Sequence, residues 1–219
     1  MYRYLLYVGL ILSYLAVSKA ISPSEINMDY IQNEKSFDKV IKGNPVTVIL
    51  IDMHATGFLF KTYYQKYRLV FGFQGVEEII VRTSRDFALK NKINIGMSLF
   101  RRSENISEVN PLPPGSEYIG QSSYGVWKAG KDGNLYWKFY RPYRNLPRFF
   151  GWGKFKPDQV FYRELLNSKE NKVPYYGTHN EFGEYGPITQ KSFPHFFTNA
   201  RKKRISLTEL FYDYIKENY

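Results

Sequence analysis

The chain has 219 residues, 43% hydrophobic and 18% aromatic, with no cysteine and a formal net charge of +11. That length supports one ordinary domain with a hydrophobic core of its own. The missing cysteines exclude disulfides, thiolate nucleophiles and Cys-ligated zinc, while the charge favours anionic partners without specifying a reaction.

Met1 to Ala20 has the three parts of a secretory signal. Arg3 and the α-amino group are positive, Tyr4 to Val17 is apolar, and Ser18-Lys19-Ala20 places small residues at −3 and −1 of a cleavage site. The apolar run is about 14 residues, short of the ~20 that span a bilayer. The expectation is therefore residues 1–20 as a cleaved signal and 21–219 as a single exported α+β domain, periplasmic or secreted. A signal-anchored membrane protein is the alternative. Cleavage takes away Arg3 and Lys19 and no acid, so the mature charge is +9.

In the mature chain, Ser22-Pro23-Ser24-Glu25 has the form of a helix start. The stripe Ile26, Tyr30, Phe37, Val40 and Ile41 predicts a helix, or two short ones, over residues 23–42. Val46 to Ile51 is a β-branched run of the kind covered on both faces of a sheet. Tyr67 to Phe73 and Glu77 to Thr83 predict two strands joined around Gln74-Gly75, and Phe58 to Tyr64 fits strand or helix. A short helix follows at Ser84 to Lys90, then a strand at Ile95 to Arg101. Residues 103–116 form a polar, proline-rich loop.

Tyr124 to Ala129 and Leu135 to Tyr140 flank Gly130-Lys131-Asp132-Gly133, a hairpin signature. In the second strand Leu135, Trp137 and Phe139 alternate with Tyr136, Lys138 and Tyr140. A helix is expected at Asp158 to Asn167 and a loop at Lys172 to Pro194. Arg201 to Arg204 is a basic run, and a capping box at Ser206 to Glu209 opens an amphipathic terminal helix. The fold class these elements predict is α+β, a mixed or antiparallel sheet with an N-terminal and a C-terminal helix packed on it.

The most specific chemistry lies between Lys138 and Lys156, where cations are interleaved with rings. Guanidinium forks bind phosphate or carboxylate, and rings stack on bases or sugar faces. Lys138, Arg141, Tyr143, Arg144, Arg148, Trp152 and Lys154 are the expected ligand-binding residues, for an anionic polymer or glycan of the cell envelope. A membrane surface is a further anionic partner to expect, and nucleic acid ranks behind both.

The alternative is a hydrolase acting on envelope polysaccharide or peptidoglycan. Its candidate catalytic groups are Asp52 and His54 after the buried strand, and His179, Glu181 and Glu184 in the glycine-flanked loop 175–187. The spacing H-x-E-x-x-E matches no metal motif, and no phosphate loop or other cofactor motif is present. A third alternative is a protein-interaction partner that docks through Phe211, Tyr214 and Ile215 of the terminal helix.

Overall fold

The computed structural model of the protein describes residues 2–21, 28–56, 61–104 and 106–202. Its centre is a six-stranded sheet, ordered β1-β4-β3-β2-β5-β6, built from β1 (Tyr30–Ile31), β2 (Val46–Thr56), β3 (Thr62–Val70), β4 (Val76–Thr83), β5 (Ser98–Ser103) and β6 (Ile106–Glu108). β1 runs parallel to β4 and every other pair is antiparallel, so the sheet is mixed. A second sheet is the hairpin of β7 (Gly125–Ala129) and β8 (Leu135–Phe139). The helices are α1 (Tyr2–Ile21), α2 (Phe37–Val40), α3 (Arg85–Lys90), α4 (Leu146–Phe149), α5 (Gln159–Glu170), α6 (Pro187–Ser192) and α7 (Pro194–Lys202). The α+β class with a mixed sheet is the one the sequence predicts.

The β-branched run at 46–51 forms the heart of the sheet because both its faces are covered. Every residue from Val46 to Ile51 is buried. On one side Phe37 of α2 stacks on Phe100 and meets Tyr67 and Phe87 edge-on. α3 begins where Ser84 caps it, the serine hydroxyl accepting from Phe87 N at 3.1 Å. α5 is capped in the same way by Asp158, whose Oδ1 accepts from Phe161 N at 2.8 Å.

One hydrophobic cluster runs from Ile31 through Phe196 and includes Leu112, Tyr118 and Ile119. The proline-rich stretch after Glu108 therefore passes through the core. Prolines remove backbone donors, which allows Leu112 to Ser116 to be buried with few N–H groups to satisfy.

Several local expectations change. Over 23–42 the expected helix gives way to β1, a 3-10 turn at Glu34–Ser36 and the four-residue α2, with residues 22–27 outside the described part. Tyr30 and Ile31 are drawn into the sheet beside Arg82 and Thr83, where backbone pairing outweighs a weak helical stripe. Thr62 to Tyr64 is strand, and residues 57–60 lie outside the described part. The segment 172–194 contains α6, which Pro187 opens. The terminal helix from Ser206 lies outside the described residues.

Candidate functional site

The hairpin turn places the second sheet. Gly130 N donates to Asn134 O, and Gly133 takes φ +82°, a backbone conformation that favours glycine. Asp132 ties the turn by accepting from the Tyr136 hydroxyl at 2.6 Å and from the Asn134 side-chain amide at 3.0 Å. Those donors, Tyr136 foremost, hold its carboxyl below the usual aspartate range.

Strand alternation sorts the rings from the charges. Trp127 pairs with Trp137 across the hairpin, their centroids 5.3 Å apart, and Trp137 continues to Phe139 and on to Trp152. On the opposite face Lys128 lies across from Tyr136, and Val126 from Lys138. β8 is anchored to the body by Trp137 N donating to Pro157 O at 2.8 Å and by a bridge between Tyr136 and Asp158.

The segment after the hairpin folds back beside it. Pro142 starts a 3-10 turn at Arg141–Tyr143, α4 follows, and Trp152 N donates to Pro147 O at 2.9 Å. Phe155 turns inward against Phe161 and Phe182, so its neighbours Lys154 and Lys156 are exposed.

Between β8 and residues 152–157 lies a cleft of about 530 Å³. Its walls carry Tyr136, Trp137, Phe139, Trp152 and Phe155. Its charges are Lys128, Lys138, Arg144, Lys154 and Lys156, and no carboxylate lines it. None of these five cations enters an ion pair among the described residues. The nearest acids in sequence are occupied locally: Asp158 caps α5 and Asp132 holds the hairpin turn. A second hollow of about 380 Å³ shares Trp152, Gly153, Lys154 and Phe155 and extends to Ile188 and Lys191, again with no carboxylate. The cationic surface thus continues across the 152–155 segment.

Of the expected ligand-binding residues, Lys138, Arg144, Trp152 and Lys154 line the cleft. Arg141 and Arg148 are exposed but outside it, and Arg148 lies over the Phe149 ring at 5.5 Å. Tyr143 packs edge-on against Tyr124 and Phe73. Trp152 is 2% exposed and its indole N–H donates to Pro114 O at 2.8 Å, so it serves as floor and core, not as a free stacking platform. Lys128 is absent from that expected set. The signal for it was its position one hairpin register across from Tyr136.

The expected catalytic residues have local duties. Asp52 and His54 lie within β2, not beyond it, because the strand continues to Thr56 after a bulge at Leu50/Asp52. Asp52 accepts from its neighbour's amide, Met53 N, at 2.7 Å, and His54 stacks on Tyr64. Glu181 Oε2 accepts from His179 N at 3.0 Å, and Glu184 pairs with Lys92 at 3.5 Å. These contacts fold the loop. Among the described residues no group of three or more His, Asp or Glu could hold a metal ion.

A more spacious groove of about 760 Å³ runs beside α3, but its carboxylates are already paired, Glu34 with Lys90 and Glu108 with Lys169. It offers no single sign of charge. No family model, no curated protein and no solved structure matches the chain, so the functional reading rests on the chemistry of the cleft.

Proposed function

We propose that the protein is an exported binding or structural protein of the cell envelope or secreted space, and that the cleft beside β8 holds an anionic polymer or glycan. One observation carries the reading: five exposed cations without a carboxylate among them surround a groove with aromatic walls. Cations held close together without counterions repel each other, and an anionic ligand relieves that cost. The continuation into the second hollow, with Lys154 shared and Lys191 added, suits a chain-like ligand over a single small anion. The half-buried edges of Phe139 and Phe155 offer apolar contact to sugar faces.

Export is supported by α1. Its described side chains from Tyr2 to Val17 are all exposed, and its large apolar residues contribute nothing to the core. A helix apolar on every side, attached to a body that does not cover it, fits a leader removed during translocation. No helix among the described residues is long and apolar enough to cross a membrane.

The test is binding of a sulfated or uronic-acid polysaccharide to the mature chain by calorimetry over a salt series. Lys154→Glu with Lys156→Glu is expected to weaken binding roughly 30-fold or more, taking ~1 kcal/mol for each basic residue at an anionic surface. Added salt is expected to weaken the wild type steeply and the variant less. Binding that ignores both the substitutions and the salt overturns the reading.

A further inference from the structure

Inside the core the charged groups are engaged with the fold. The Arg101 guanidinium donates to Ser98, Asn110 and Glu108, and Glu117, whose carboxyl burial pushes up, accepts from the Thr47 hydroxyl. The main sheet, by contrast, has an edge that nothing among the described residues pairs.

β4 is covered by β1 only at its end, where Tyr30 lies beside Arg82 and Ile31 beside Thr83. Two hydrogen bonds fix which way its backbone points. Phe71 N donates to Gly75 O across the turn from β3, and Arg82 N donates outward to Asp29 O, each at 3.0 Å. Backbone groups alternate along a strand. Glu77, Ile79 and Val81 therefore turn their N–H and C=O groups to β3, while Val76, Glu78 and Ile80 turn theirs outward. Over Val76 to Ile80 the outward groups meet no strand among the described residues.

The same edge is apolar. Val76 is 39% exposed and Ile80 45%. Between them Glu78 is held by Lys66 at 2.6 Å and Arg68 at 2.9 Å. Natural sheets blunt an edge with lysine, proline, a bulge or shortness. The opposite edge, β6, is three residues long. β4 uses none of these devices: its eight residues contain neither lysine nor proline, and its register with β3 is unbroken.

We propose that β4 is a homodimer interface, in which Val76 to Ile80 pair antiparallel with the same stretch of a second copy about a two-fold axis at Glu78. The stretch is self-complementary in that register. Val76 lies opposite Ile80 of the second copy, so the exposed apolar side chains cover one another. Outward-facing residues oppose outward-facing residues, as a hydrogen-bonded antiparallel pair requires. The open length also fits. The turn at Gly75 bounds it at one end and β1 at Arg82 bounds it at the other, so each copy's strand stops where the other's β1 begins. The two Glu78 side chains meet at the axis, each with its own Lys66 and Arg68, and so not as bare charges. The cationic cleft belongs to the other sheet and takes no part.

The chain has no cysteine, so introduced thiols report the register. Val76→Cys and Ile80→Cys chains are made separately at full length, with a mild detergent shielding α1, and mixed under glutathione disulfide. Opposed residues of a hydrogen-bonded pair have Cα atoms about 5.5 Å apart, within disulfide reach. Like residues of the two copies are offset along the strand by about 13 Å. The mixture is expected to give a covalent dimer, and each chain alone to stay uncrosslinked. Sedimentation equilibrium of the wild type is expected to give twice the chain mass. Ile80→Pro takes away an outward N–H and no bond to β3, and is expected to raise the dissociation constant about thirtyfold, since the axis makes it act twice. The proposal is overturned if the wild type stays monomeric at millimolar concentration, or if either cysteine chain cross-links alone as readily as the mixture. It is equally overturned if the Glu78 and Ile80 amides resist exchange in a monomer, which would mean that the chain covers its own edge. Polysaccharide binding leaves these outcomes untouched, so the two readings fail separately.

Discussion

Arg101 and Glu117 show how much a single buried charge can require. Removing the Arg101 side chain strands the Ser98 and Asn110 acceptors together and leaves Glu108 with Lys169 alone. Arg101→Ala is expected to cost about 3–5 kcal/mol in urea unfolding, the usual penalty for breaking a buried charged network; a cost under about 1 kcal/mol would mean that the network contributes little. Glu117 makes a prediction about pH. Its folded carboxyl is raised above the ordinary 4.5, so above that value the unfolded chain loses its proton first. Stability from this group is complete at low pH and falls as pH rises through the window between the two values. Glu117→Gln removes that fall. The variant is expected to gain on the wild type in thermal stability as pH rises from about 4 to about 8; a difference that stays flat across that range contradicts the assignment.

At the scale of elements, the short α2 is too small to persist by propensity; Phe37 packs it on the core and one charged side chain ties down its end. Arg102 of β5 donates to the carbonyls of Ile41 and Gly43 at 3.1 Å each and to Asp38 at 2.8 Å. A cation at the last carbonyls of a helix satisfies acceptors that the helix leaves open. Arg102→Ala is expected to cost about 1–3 kcal/mol and to speed amide exchange in 37–41 ahead of the sheet. The Arg102 and Ser107 donors also hold the Asp38 carboxyl below its ordinary 3.8. That contribution is present above the unfolded value and disappears as pH falls through the folded one. The hairpin depends on close approach. A Cβ at Gly125 would lie 2.5 Å from the Lys138 carbonyl and 2.8 Å from the Trp137 ring. Gly125→Ala is expected to push β7 from β8, at a cost of about 1–3 kcal/mol in unfolding free energy, and to weaken polysaccharide binding with it.

The chain from Ile21 is expected to fold without α1, because no described side chain from Tyr2 to Val17 packs on the body. Circular dichroism and the thermal midpoint of residues 21–219, compared with the full chain, check this; a loss of cooperative unfolding on removal would assign α1 a structural role. Export with cleavage predicts Ile21 as the first residue by mass spectrometry, and an intact Met1 in a membrane fraction would favour the anchored alternative.

Much was legible from local chemistry. The run Val46 to Ile51, the Asp-Gly hairpin and the short helices from Ser84 and Asp158 each follow from stereochemistry within a few residues. So did the sorting of Trp137 and Phe139 from Lys138, which needs only the two-residue period of a strand. The helix expected over 23–42 failed because β1 pairs with a strand some fifty residues away, a contact that no local pattern encodes. The catalytic candidates at 179–184 were read from residue type alone; in the structure Glu181 accepts from the His179 backbone N within the loop and Glu184 pairs with Lys92 outside it. Lys128 and Glu117 lay outside the expected sites for the same reason. One joins the cleft by crossing a hairpin, and the other becomes a buried acid because β2, β5 and the loop after Pro114 close around it.

The sequence alone determined the class of fold, the cationic and aromatic character of residues 138–156, and the apolar character of residues 4–17, since composition and short periodicities are local quantities. Only the tertiary structure decided which cations share one groove free of carboxylates, and which carboxyl lost its solvent. Both depend on distances between residues far apart in the chain, and the desolvation that gives them their chemistry exists only once the core has closed.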